Sequence, residues 1–272
     1  MPDGRRRRDG AGPAEADQVR GLITRAVVTP RPGIVEAAAD GTVRTITLPD
    51  GPLTAATASA VAGVVDALVE DRTVRVVVLR GGPDFCTGAA DDLDPVALGV
   101  DPAASLARLR VPVVAAVRGR CASVGLELVL AADVRVVAPD TTFVLDDVVE
   151  GGRLPCWGGT QRLPRAVGTA RATAMLLLGT PLTAGDAVAC GFCSAIADDV
   201  DTATGEIVAG LTTIGPLALE FAKDAVHRGA ELPLRDGLRL EGDLNTLLAT
   251  SADRAEGLAA FFAKRPADFA GR

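Results

Sequence analysis

The sequence predicts an α/β layer architecture with largely parallel strands, followed by a helical tail. Three observations carry this. First, β-branched runs, TVRVVVLRG (73–81), PVVAAV (112–117) and DVRVVA (133–138), alternate with helix-patterned stretches, which is the rhythm of strands joined by helical crossovers. Second, after Gly168 strand-like runs give way to mainly helical patterning. Third, 272 residues, 48% of them apolar, suffice for one large core plus a small appended helical part.

In chain order, residues 1–30 read as a basic, disordered arm, with Arg5, Arg6, Arg7 and Arg8 near its start. No apolar stretch follows these arginines, which argues against a secretory signal peptide. The α/β core is expected over 31–205 and the helical region over 206–272. The core should open with a hairpin, GIVEAAA (33–39) and TVRTITL (42–48), around Asp40-Gly41, a dipeptide suited to a tight turn. Thr54 reads as a helix N-cap, with Val61, Val64, Val65 and Leu68 forming one apolar face behind it. The run 73–81 reads as a buried strand ended by Gly81-Gly82-Pro83. A helical stretch to Leu109, the strand 112–117, a turn, the helix LELVLAA (126–132) and the strand 133–138 follow. The tail reads as helical over 170–179, 206–214, 217–229 and 238–264.

Composition excludes several function classes. The chain carries 28 Lys+Arg against 35 Asp+Glu, so it lacks the basic excess expected of a nucleic-acid binder. Tyr is absent, which removes stacking platforms for single strands. No apolar run is long enough to cross a bilayer. Five scattered cysteines, an odd number, fit free thiols in a reducing, cytoplasmic setting. Cys190 and Cys193 form a CxxC without a second pair or a nearby histidine, so they read as small residues around a glycine turn. His227, the single histidine, sits in a tail helix, which disfavours a Ser-His-Asp or Cys-His hydrolase. No cluster has metal-ligand spacing.

In a parallel α/β sheet, ligands collect at the carboxyl ends of the strands. Two loops there are rich in small residues: GGPDFCTGAADDL (81–93) and RGRCASVGLEL (118–128). Small side chains let a ligand reach backbone N–H groups. The second loop enters a helix directly, so its first-turn amides favour developing negative charge. Two converging amides would make an oxyanion hole.

These loops and three further blocks resemble a known family. RVVVLRGGPDFCTGAADDL, PVVAAVRGRCASVGLELVLAADVRVVAPDTTF, WGGTQRLPRAVG, AKDAVHRGAELPLRDGLRLE and EGLAAFFAKRPADF, in that order and spacing, are similar to the enoyl-CoA hydratase/isomerase (crotonase) family from about Gly33 to Arg272. The resemblance implies a ββα superhelix with a C-terminal helical region that forms a homotrimer or a dimer of trimers. It implies an acyl-CoA thioester substrate, with coenzyme A part of the substrate and no other cofactor. It places the oxyanion donors at the backbone N–H of Ala89 and Val124, flanked by Gly88, Ala90 and Asp91. It places the catalytic acids at Glu127 and Asp147, and adenine-end CoA contacts at Phe261 and Lys264. Hydration of a 2-enoyl-CoA uses two acids. Isomerisation or decarboxylation of a CoA or carrier-protein thioester needs one, and a non-catalytic acyl-CoA binder needs none.

Several positions depart from the family pattern. Ser123-Val124-Gly125 stands where consecutive glycines are usual, and the Val124 side chain threatens to crowd the hole. One extra residue lies between Phe143 and Pro155, leaving Asp146, Asp147 and Glu150 as alternatives for the second acid, with Asp one methylene shorter than the usual Glu. Trp157, the only tryptophan, either shapes the acyl pocket or fills core. Cys156 reads as a small turn residue rather than a nucleophile.

Overall fold

The computed structural model describes residues 36–272. The proposed arm 1–30 and the start of the first predicted strand, 33–35, lie outside the described residues. Strands β1 (Glu36–Asp40) and β2 (Val43–Thr47) pair antiparallel with Asp40 opposite Val43. The two-residue loop is therefore Gly41-Thr42, one position later than the predicted Asp40-Gly41. Gly41 takes φ +55° at the first loop position, where a II′ turn needs its positive angle. Asp40 stays in the ladder.

Helix α1 (Ala55–Glu70) starts as predicted: the Thr54 hydroxyl accepts from the Thr57 N–H, and Val61, Val64 and Val65 are buried. Strand β3 (Val76–Arg80) runs parallel to β2, and β4 (Val113–Val117) parallel to β3. Between them lies the short helix α2 (Pro102–Ala107), capped by Asp101. After β5 (Arg120–Ala122), α3 (Val124–Leu130) leads to β6 (Val134–Val137), which pairs parallel with β4. All of β4 and most of β3 are buried, because both faces of this sheet are covered. Leu126, Val129 and Val65 pack in the main core on one face. Val200 of α8 (Val200–Thr212) packs with Ala116, Val136 and Ala138 on the other.

The sequence pattern did not reveal a second, three-stranded sheet. In it β7 (Thr142–Val144) lies between β5 and β8 (Leu182–Thr183). The turn helix α4 (Asp147–Gly151) and helices α5 (Gly159–Val167), α6 (Thr169–Leu178) and α7 (Ala184–Ala189) surround it in sequence. Strand β9 (Ala195–Ile196) closes the large sheet beside β6. Cys190 and Cys193 flank Gly191, at φ +79°, and both are free thiols.

Position 205/206 falls inside α8, which packs on the large sheet. The helices that leave the sheet are α9 (Pro216–Gly229), α10 (Leu234–Ala249) and α11 (Ala252–Ala263). The predicted helical stretch 238–264 is broken at Thr250-Ser251, where the Ser251 hydroxyl caps α11 by accepting from the Arg254 N–H. The tail is tied to the core through Asp133. Its Oδ2 accepts from the Val113 N–H and from Lys223 Nζ, both at 2.7 Å, and its Oδ1 lies 2.8 Å from His227 Nε2. Burial opposes this charge, but the His227 contact and the Lys223 ammonium hold the Asp133 carboxyl below its usual value. Among the described residues no single helix is long and apolar enough to cross a membrane.

Candidate active site

The two small-residue loops leave the carboxyl ends of β3 and β4 and run side by side. The Cys86 N–H donates to the Arg120 carbonyl at 3.1 Å, and the Ala122 N–H to the Cys86 carbonyl at 2.9 Å. This parallel bridge pairs Cys86 with Cys121. A Cβ on Gly125 would overlap the Cys86 side chain, so glycine is what lets α3 start this close to the first loop. Gly88 takes φ +139°, and a Cβ there would sit 4.0 Å from Ser123 Cβ.

Ala89 forms a second parallel bridge with Leu53. In it the Leu53 N–H donates to the Gly88 carbonyl and the Ala90 N–H to the Leu53 carbonyl, both at 2.8 Å. That pattern leaves the Ala89 N–H facing away from Leu53. Neither it nor the first-turn N–H of Val124 has a protein acceptor among the described residues. The Val124 side chain belongs to the main core cluster.

Glu127 sits one turn into α3 and is only 1% exposed. Its Oε1 accepts from the backbone N–H groups of Trp157 and Gly159, each at 2.7 Å. These amides open α5, so the carboxylate of one helix caps the next. Oε2 is buried and has no protein partner among the described residues. Burial pushes the Glu127 carboxyl up to about 7, with the Asp147 charge adding to the rise and the two amides opposing it. Gly159 has no room for a side chain: a Cβ would lie 2.8 Å from Pro155 Cβ and 3.1 Å from Glu127 Oε1.

Asp147 opens α4 and is buried. Its Oδ1 accepts from Ser123 Oγ at 2.6 Å and lies 3.4 Å from Arg153 Nε. Its Oδ2 is buried without a protein partner among the described residues. The other two candidate acids face elsewhere: Asp146 pairs with Arg120 at 2.8 Å, and Glu150 is exposed. Helix α4 closes at Gly152, at φ +59°, where the Arg153 N–H returns to the Asp147 carbonyl at 3.1 Å.

Trp157 is a core side chain, 1% exposed, and its backbone amide is what reaches Glu127. Its indole Nε1 has no protein partner among the described residues. The Cys156 thiol is raised by partial burial and by the Glu127 charge, which disfavours a nucleophilic thiolate. His227 is engaged with Asp133 at the tail junction. Asp91 is exposed. Phe261 and Lys264 stand exposed at the end of α11, with Phe261 edge-on to Phe262, and no hydrogen bond or ion pair joins either to Glu127 or Asp147 among the described residues. A separate cavity of about 500 Å³, lined by Arg72, Arg75, Arg110, Glu220 and Phe269, opens at the amino ends of β3 and β4, away from these loops.

Side-chain reading missed the Ser123 hydroxyl and the Trp157 and Gly159 amides. Only the departure of Ser123 from the glycine pattern signalled the first. The arrangement thus combines two unengaged amides from adjoining loops with two buried carboxyls, each with one oxygen pinned and one unpartnered. Such a set can stabilise an anionic oxygen and move protons beside it.

The sequence profile of the enoyl-CoA hydratase/isomerase family matches residues 39–272. The chain belongs to this family. Within the enoyl-CoA hydratase/isomerase family, it is 36% identical over 218 residues to 2,3-dehydroadipyl-CoA hydratase of Escherichia coli, an alignment covering 76% of this chain and 85% of that protein. It is 32% identical to the mitochondrial methylglutaconyl-CoA hydratase of Rattus norvegicus, covering 76% and 71%. The crystal structure of enoyl-CoA hydratase from Bacillus anthracis superposes with a TM-score of 0.81 at 28% identity, covering 88% of this chain and 100% of that one. The fold is the crotonase fold of this family, and the chain is an enzyme of this hydratase and isomerase group.

Proposed function

We propose that this enzyme adds water to a 2-enoyl-CoA thioester, or removes it from the 3-hydroxyacyl-CoA. The observation that carries the reading is the pair of half-pinned carboxyls. Glu127 and Asp147 each hold one oxygen against the protein and leave a buried second oxygen without a partner. Two such groups are what hydration needs, one to activate water and one to protonate the α-carbon. The Ala89 and Val124 amides polarise the thioester carbonyl and hold the enolate oxygen. The thioester itself delocalises the carbanion, so no further cofactor is required. The names of the relatives, two of them hydratases of acyl-CoA thioesters, support the same reaction class.

The helical tail is proposed to form the interface of a homotrimer or dimer of trimers. The exposed Val226, Leu234 and Leu238 on α9 and α10 support this, since an oligomer would cover them. Phe261 and Lys264 are proposed to reach the adenine end of CoA, a cation beside phosphates being favourable there.

Crotonyl-CoA hydration tests the reading. Glu127→Gln and Asp147→Asn should each lower kcat by about 10²-fold to 10⁴-fold. Wild-type rates in both variants would refute the assigned roles. The single-acid alternative, isomerisation or decarboxylation, is favoured by the Glu127 carboxyl, which burial pushes up to about 7. It predicts that Asp147→Asn is tolerated while Glu127→Gln is not. A non-catalytic acyl-CoA binder would bind thioester without ever exchanging the α-carbon proton for solvent deuterium.

A further inference from the structure

We propose that Ser123 is a positioning residue that serves both halves of the site: its hydroxyl selects which oxygen of Asp147 faces the substrate, and its backbone aims the Val124 amide. The inference rests on the hydratase reading above.

Among the described residues only Ser123 and Lys264 combine a side chain with positive φ. Lys264 is an exposed helix C-cap, a common place for that conformation. Ser123 is different: it is buried, and at φ +49°, ψ −124° it lies outside the left-handed helical well. Glycine would adopt this conformation without a Cβ penalty. A serine at this site therefore opposes the local backbone preference.

The hydroxyl shows what the serine does. Ser123 is the N-cap of α3, where a serine normally accepts from a first-turn amide. It makes no such bond. Its Oγ donates instead across 24 residues of sequence to Asp147 Oδ1, at 2.6 Å, a short charge-assisted contact. With Oδ1 held, Oδ2 remains the oxygen for chemistry.

The backbone of the same residue is fixed on both sides. The Ser123 N–H donates to the Val144 carbonyl at 3.0 Å, and the Ser123 carbonyl accepts from the Glu127 N–H at 3.1 Å. The ψ angle of Ser123 orients the peptide that carries the Val124 N–H. Oxyanion donor, first acid and second acid thus meet at one residue.

The experiment measures crotonyl-CoA hydration and thermal melting of Ser123→Ala and Ser123→Gly, alone and with Asp147→Asn. Both single variants should lose about 10-fold to 100-fold in kcat, the scale of a small misplacement of a catalytic group. KM should stay within about threefold, because the hydroxyl is engaged with the Asp147 carboxyl and acts through it. Ser123→Gly should melt above Ser123→Ala while remaining as impaired. In the Asp147→Asn background, Ser123→Ala should cost less than about threefold. Wild-type kcat in Ser123→Gly, or an undiminished loss in the Asp147→Asn background, would overturn the proposal. Full activity of Asp147→Asn alone would refute the hydratase reading, and the positioning role with it. An inactive Asp147→Asn beside an unimpaired Ser123→Ala would refute the positioning role alone.

Discussion

Replacing Glu127 by Gln should make the protein more stable and nearly inactive, with the stability gain appearing only as pH rises. The ordinary value of this carboxyl, 4.5, is pushed up to about 7 in the folded chain. Between those two values the folded protein keeps a proton that the unfolded chain releases, so wild-type stability falls as pH rises through the window. Each unit is worth about 1.4 kcal/mol, so the full cost of the buried charge above neutrality is about 3 kcal/mol. Gln keeps an Oε1 acceptor for the Trp157 and Gly159 amides and removes the charge. Its Nε2 takes the place of a buried, unpartnered oxygen, a burden that does not change with pH. Urea denaturation of both proteins from pH 4.5 to 8.5 measures the difference. It should move in favour of the variant by about 3 kcal/mol across that range. A flat difference, or one that favours wild type increasingly at high pH, would refute the view that Glu127 is held as a costly buried charge.

Gly159→Ala drives a Cβ into Pro155 and the seat of Glu127. It should cost about 1–3 kcal/mol by overpacking, with a fall in kcat seen in crotonyl-CoA assays. Gly125→Ala collides with Cys86 where the two loops join. A similar loss is expected, and adding Cys86→Gly should restore part of the melting temperature. Lys223→Met leaves Asp133 without its buried ammonium and should destabilise by about 3 kcal/mol in urea titrations. Because the Asp133 carboxyl is held below its usual value, the stability it contributes is present above the unfolded value and lost as pH falls through the folded one. The gap between wild type and Lys223→Met should narrow in acid.

The large sheet was legible because each of its central strands is a run of β-branched residues buried on both faces. The α1 start was legible because Thr54 bonds locally, to an amide three residues on. Glu127 stood out as the one charge in an apolar segment, 122–132. The second sheet was not legible: strands of two or three residues, such as Leu182–Thr183, carry no measurable alternation. The break at Thr250-Ser251 was hidden because apolar residues continue on both sides at helical spacing. The resemblance already pointed to Asp147, but what separates it from Asp146 and Glu150 is visible only in the fold: Asp147 is buried beside Ser123, Asp146 pairs with Arg120 and Glu150 is exposed. The contacts that set the site, Ser123 to Asp147 and the Trp157 and Gly159 amides to Glu127, join distant positions. Two of those three donors are main-chain groups, which every residue but proline shares.

The same fact has a bearing on how this molecule could change over time. If main-chain hydrogens at 89 and 124 supply the electrostatic work, no ordinary replacement at either position deletes them; only proline does. The side chain at 89, which packs against the edge of the core, then has more latitude than that of Val124, which the core encloses. A library built at position 89 should therefore abolish turnover less readily than one at Val124, where packing is at stake, while the scaffold that clasps the loops together, Cys86 against Gly125, tolerates little.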